Sequence, residues 1–128
     1  VYIARPLIAD PEWPNKAQEG RFDEIRPCLA CSLCFDGLLE GRGVRCSVNA
    51  RAGREAEYSI EPAKQRKKVF VIGRGPAGME AARVAALRGH EVILADNRDQ
   101  LGGQLQVAVL PPHKEELGNL TSYLAGQM

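Results

Sequence analysis

Apolar positions follow two different patterns on either side of residue 69. Residues 69–73, VFVIG, form a compact β-branched and aromatic run that predicts a parallel strand buried on both faces. Glu91–Ala95, EVILA, predicts a second strand of the same kind. Between them, Pro76–Arg88 is rich in alanine and places Met79, Ala82, Val84, Ala86 and Leu87 among small residues. This predicts a helix packed closely on a sheet, with Met79 and the alanines in the core and Gly89 as its C-terminal cap. A loop with Gly102 and Gly103 follows, then Pro111-Pro112, then a helix expected from about Lys114 to Gly126. The order β-α-β-loop-α opens a doubly wound α/β fold.

Upstream the pattern is weaker. Val1–Ala4 reads as a short strand, and IADPEWPNK as a loop in which Pro11 and Pro14, around Trp13, exclude regular structure. Phe22–Arg26 predicts a short helix before Pro27. Residues 27–60 hold all four cysteines together with Gly37, Gly41 and Gly43, and a segment so irregular needs a staple. EPAKQRKK, residues 61–68, reads as a solvated basic linker, because no aromatics interleave its charges as a nucleic-acid surface would require. Four parts result: 1–26, 27–60, 61–68 and 69–128.

A length of 128 residues fits one domain, and 45% hydrophobic with 26% charged residues is ordinary for a globular chain. A net charge of +1 argues against nucleic acid or an anionic membrane as the main partner. No apolar run approaches the roughly 20 residues that span a bilayer. With no export signal, the cysteines point to a reducing, cytoplasmic setting, where metal or redox chemistry outranks disulfides.

Gly73-Arg74-Gly75-Pro76-Ala77-Gly78 fits G-x-G-x-x-G between a strand and a helix. Its first glycine permits the tight turn, its second lets backbone approach a pyrophosphate, and its third lets helix and strand pack closely. The phosphates would meet the positive N-terminus of the helix. Asp96 closes the second strand 18 residues after Gly78, where its carboxylate can bind an unphosphorylated ribose. Arg74, between the glycines, is read as facing solvent in preference to a place near the pyrophosphate.

The cysteines are spaced C-x2-C-x2-C-x11-C: Cys28, Cys31, Cys34 and Cys46. Zinc sites usually present two separated pairs, whereas three thiolates on one tight loop plus a distant fourth suit the separate iron corners of a cubane. Ser47, not proline, follows Cys46, which fits one isolated cluster. Spacing favours iron–sulfur, keeps zinc open, and ranks disulfides last.

ARPLIADPEWPNK, CLACSLC…CSVNARAGRE, KKVFVIGRGPAGMEAARVAALRGHEV, LGGQL and PPHKEEL together resemble the NADH:flavin oxidoreductases of the 2,4-dienoyl-CoA reductase and enoate reductase group, with trimethylamine dehydrogenase as a related branch. The resemblance implies a central segment of a larger enzyme. Residues 1–26 would end an FMN-binding TIM barrel, 27–60 would bind a 4Fe–4S cluster, and 69–128 would begin a Rossmann-like FAD-binding domain. Electrons would pass from NAD(P)H through FAD and the cluster to FMN, then to an activated C=C bond of a small-molecule substrate. In the amine-oxidising branch, ADP replaces FAD. Carried over by position, Arg5 would help bind the FMN phosphate, with Ala4 in place of the usual glycine. Cys28, Cys31, Cys34 and Cys46 would be the cluster ligands. Gly73, Gly75, Ala77 and Gly78 would form the FAD pyrophosphate turn, Asp96 would be the ribose acid, and Gln104 and Lys114 would be further FAD contacts. The two residues between Cys31 and Cys34 match the amine branch, since the dienoyl-CoA reductases carry one more, whereas PPHKEEL looks more like the reductases.

The partners implied are the remaining barrel and FAD/NAD(P) domains of the same polypeptide. VYIARPL at the start and Met128 in a final helical turn give the expectation of a chain cut at both ends and inactive alone. No catalytic residue is assigned. Trp13 is expected to pack the barrel-end loop, and His90 and His113 to occupy turn and surface positions. A zinc-stabilised nucleotide-binding module is the alternative from another functional class.

Overall fold

The structure, a computed structural model, describes residues 2–128. The chain divides into two compact units, Val1–Ser59 and Ile60–Met128.

The first unit is built on short helices. The expected strand at its start is not formed over Tyr2–Ala4, and Val1 lies outside the described residues. A strand needs a partner to take its N–H and C=O groups, and no described residue of this unit is in a strand. The helix α1 (Arg5–Ala9) starts immediately afterwards. The proline-rich stretch is also not a loop, because α2 spans Trp13–Gln18. Pro6 and Pro14 both lie in first turns, where the missing N–H has no helical partner to lose and the fixed φ suits a helix. Phe22–Glu24 forms a single 3₁₀ turn. Inside the segment expected to be irregular, Leu33–Leu39 forms α3.

Few apolar residues are buried in this unit: Ala9, Val48 and Ala52. Asp10, Arg26 and Asn49 are buried beside them. Asp10 accepts Lys16 Nζ at 2.7 Å and the N–H groups of Arg26 and Glu12 at 2.8 and 3.1 Å. Arg26 Nη1 donates to the Val48 carbonyl at 2.6 Å, and Asn49 Nδ2 to the Ile8 carbonyl at 2.8 Å. A polar network thus joins segments that a larger apolar core would otherwise hold.

In the second unit, β1 (Lys68–Ile72) and β2 (Glu91–Ala95) pair in parallel, Val69 opposite Val92 and Phe70 opposite Ile93. Between them runs α4 (Pro76–Leu87), which packs on both strands. Gly89, at φ +88°, follows its end and donates N–H to the Ala86 carbonyl at 2.8 Å. Then come α5 (Leu105–Ala108), absent from the sequence expectation, a 3₁₀ turn over Glu115–Leu117, and α6 (Gly118–Gly126), which packs on α4. The core holds Met79, Ala82, Leu120, Tyr123 and Leu124. Most of the α4 alanines lie outside it, and Leu87 is exposed, because α4 meets its neighbours over one narrow stripe.

The strands differ from expectation on one face. Val69 and Val71 are half-buried, whereas Phe70, Ile72 and Ile93 stay exposed. With α4 against one face only, β1 alternates where a doubly covered strand would not. Among the described residues no helix is long and apolar enough to cross a membrane.

Candidate functional site

Two places gather the residues singled out by sequence, one in each unit. In the second unit the chain leaves β1 through Gly73, whose φ of +106° favours glycine. Gly73 N–H donates to the Ala95 carbonyl at 2.7 Å, tying the turn to the end of β2. Gly78 faces the Gly73 carbonyl so closely that a Cβ would overlap it, so helix and strand meet through bare backbone. Gly75 precedes α4, and a Cβ on Gly103 would come within 2.8 Å of Gly75 Cα.

These approaches frame a cavity of about 610 Å³. Gly75 and Ala77 line it at the start of α4, Asp96 and Arg98 after β2, and Gly103 and Gln104 before α5. The positive end of the α4 dipole faces it. Asp96 Oδ2 accepts Arg74 N–H at 2.6 Å and Oδ1 accepts Arg98 N–H at 3.0 Å. These backbone donors hold the carboxyl below its usual range, so it is a fixed anion with lone pairs left for a hydroxyl.

The structure therefore brings Gly75, Ala77, Asp96 and Gln104 to one cavity, with Gly73 and Gly78 shaping its wall. Lys114 is not brought there; it is exposed and donates its N–H to the Pro111 carbonyl at 3.2 Å. Arg74 is half-buried and is not turned freely to solvent as expected. Its guanidinium donates to the Arg98 carbonyl, its Nε is buried without a partner among the described residues, and its own carbonyl accepts Gly102 N–H at 2.8 Å. The reason is the double glycine downstream, which folds the loop back over the turn. Sequence reasoning missed Arg98 and Gly103, for which Gly102-Gly103 was the available signal. His90 occupies the expected turn, its Nδ1 accepting Lys67 N–H at 3.1 Å, and His113 is exposed. In the first unit, Arg5 opens α1 and is exposed.

The cysteine loop lies in the first unit. Ala30 and Ser32 both adopt left-handed conformations, φ +51° and +61°, on either side of Cys31. Each costs about 1–2 kcal/mol in a non-glycine residue, so the surrounding structure imposes the bend. All four cysteines are free thiols; Cys28, Cys34 and Cys46 are half-buried and Cys31 is exposed. Cys31 Sγ lies 3.0 Å from Ser47 Oγ. Burial pushes the Cys31 thiol up, but the Ser47 hydroxyl and the N–H groups of Leu33, Cys31 and Ser47 together bring it below the usual thiol range. Gly37 in α3 faces the Gly43 carbonyl with no room for a Cβ, which fixes that helix against the strand-free segment leading to Cys46.

Among the described residues no three Cys, His, Asp or Glu side chains come close enough to hold a single metal ion. The loop nevertheless suits a cubane. Its four free thiols would ligate separate iron corners, and one already has hydrogen-bond donors around its sulfur.

Residues 68–125 match the family described as FAD dependent oxidoreductase. The chain is 51% identical to a metal reductase of Desulforamulus reducens, covering 97% of this chain and 19% of that protein. It is 44% identical to a cinnamate reductase of Clostridium sporogenes, covering 98% and 19%. Histamine dehydrogenase from Rhizobium sp. 4-9 superimposes with a TM-score of 0.92 at 35% identity, over 99% of this chain and 19% of that one. The chain thus spans about a fifth of the length of the relatives it matches. Along nearly its whole length the chain is similar to one segment of these larger oxidoreductases, and its second unit carries the FAD dependent oxidoreductase match.

Proposed function

We propose that this chain is the electron-transfer segment of a flavin- and iron–sulfur-dependent oxidoreductase, of the type that reduces an activated C=C bond of an enoate or dienoyl-CoA. One observation carries the reading: a glycine-framed cavity and four free thiols occur in a chain 44% identical to a cinnamate reductase. In this reading Cys28, Cys31, Cys34 and Cys46 hold a 4Fe–4S cluster. Gly75, Ala77, Asp96 and Gln104, on the turn built by Gly73 and Gly78, hold FAD. Arg5 contributes to an FMN phosphate site that lies mostly outside this chain, and Lys114, expected as a further FAD contact, does not line the cavity. When bound, these groups supply the one- and two-electron chemistry that connects NAD(P)H to the substrate.

The chain's own contribution is binding and electrostatics. The α4 N-terminus and the bare backbone of Gly75 receive a pyrophosphate, and a side chain at Gly103 would press on Gly75 Cα at 2.8 Å. Asp96, held as an anion by Arg74 and Arg98 N–H groups, accepts ribose hydroxyls and repels a 2′-phosphate. Residues 1–26 would be a barrel end, 27–60 the cluster segment, 61–68 a linker and 69–128 the start of a Rossmann-like FAD domain. The other domains of the same polypeptide are its partners.

A second reading, an amine dehydrogenase holding ADP, is supported by the two-residue gap between Cys31 and Cys34 and by the match to histamine dehydrogenase. The zinc alternative is disfavoured by the spacing, three thiols within seven residues and a distant fourth, where zinc sites usually present two separated pairs. The test is a cofactor inventory of the natural polypeptide purified anaerobically. Iron and acid-labile sulfide in near-equal amounts with FAD are expected. Zinc without sulfide would overturn the cluster, and ADP without a second flavin would select the amine branch.

A further inference from the structure

Ser47 entered the cysteine spacing only as the residue that follows Cys46 in place of proline, with no role of its own. Its hydroxyl oxygen lies 3.0 Å from Cys31 Sγ, joining positions 16 residues apart. Both ends of this contact are held in place. On one side Cys31 sits between two left-handed residues, Ala30 and Ser32, which turn the loop back on itself. On the other, Ser47 lies between half-buried Cys46 and two buried, tied residues. Val48 offers its carbonyl to the Arg26 guanidinium at 2.6 Å, and Asn49 donates to Ile8 at 2.8 Å while accepting Arg51 N–H at 3.1 Å.

We propose that the Ser47 hydroxyl donates a hydrogen bond to the Cys31 sulfur and thereby raises the reduction potential of the cluster that these cysteines hold. The inference rests on the cluster assignment above. A metal-bound sulfur is a thiolate with no proton to give, so the hydroxyl must be the donor. Reduction adds one electron and forms or breaks no bond. It increases negative charge on the sulfurs, and a donor aimed at one of them stabilises the reduced form more than the oxidised form. Ser47 is in this sense a positioning residue: it touches a ligand and acts through it.

The experiment is an EPR-monitored redox titration of the natural polypeptide, purified anaerobically, as wild type, Ser47→Ala and Ser47→Thr, each first assayed for iron and acid-labile sulfide. Wild-type protein without sulfide would overturn the cluster assignment itself and leave no potential to compare. With the cluster present, Ser47→Ala is expected to titrate at a more negative potential with unchanged iron and sulfide, and Ser47→Thr to return close to wild type. Equal potentials for wild type and Ser47→Ala would overturn the inference. Loss of the cluster in Ser47→Ala, with threonine normal, would also overturn it, because the hydroxyl would then serve assembly and not potential.

Discussion

Asp10 is the residue whose removal should most disturb the first unit. Its side chain is 6% exposed and accepts three donors, including Lys16, itself 16% exposed. Asp10→Ala leaves the Lys16 ammonium and the Arg26 N–H without their acceptor. Breaking a buried pair in this way costs about 3–5 kcal/mol. Lys16 keeps the Glu24 carbonyl at 2.8 Å and some water, so the lower end, about 3 kcal/mol, is expected. Asp10→Asn keeps the shape but loses the charge, and about 2 kcal/mol should go. Trp13, the single tryptophan, donates its backbone N–H to the Asp10 carbonyl at 3.1 Å and so sits beside this network, and its fluorescence reports on this region during urea unfolding. The pH dependence adds a second reading. Burial raises the Asp10 carboxyl, but Lys16 and the Arg26 and Glu12 N–H groups outweigh it and hold it below its ordinary value of 3.8. The unfolded chain therefore binds the proton more readily. The stabilisation is complete above the ordinary carboxylate range and is lost as pH falls through the depressed folded value. Wild type should lose stability below about pH 4 more steeply than Asp10→Asn. An asparagine variant within about 0.5 kcal/mol of wild type at pH 7, with the same acid slope, would refute the network's role.

Other outcomes follow from the same geometry. Gly78→Ala forces a methyl into the Gly73 carbonyl and should lower the melting temperature of the second unit by several degrees, with loss of bound nucleotide, measured by calorimetry and by released-nucleotide analysis. Gly103→Ala, strained at φ +53° and only 2.8 Å from Gly75 Cα, should empty the cavity of nucleotide with a smaller loss of melting temperature; retention of nucleotide at wild-type occupancy would count against the site. Asp96→Asn should weaken ADP binding about tenfold by titration calorimetry while narrowing discrimination against a 2′-phosphate. Cys46→Ser should lower iron and sulfide content together, and unchanged iron would remove Cys46 from the ligand set.

Much of the second unit was legible along the chain. The run 69–73, the alanine stretch and EVILA each signal one element, and their boundaries fall within a residue or two of β1, α4 and β2. Such elements depend on short-range periodicity and on glycine and proline, which local sequence carries. The first unit was less legible, because proline reads as a breaker unless one knows that it sits in a first turn, as Pro6 and Pro14 do. Arg74 was misread since nothing local says that a loop more than twenty residues on will supply the Arg98 carbonyl.

The sequence alone determined which chemistry the chain can carry: four thiols spaced C-x2-C-x2-C-x11-C, glycines where backbone must come close, and one acid at a strand end. Tertiary structure decided which of these meet. It placed Gln104 at the cavity and left Lys114 outside, brought Ser47 to Cys31, and buried Asp10 under Lys16 and Arg26. The physical reason is distance along the chain. Short-range preferences are written into neighbouring residues, whereas a contact between residues sixteen or more apart depends on how every intervening turn closes.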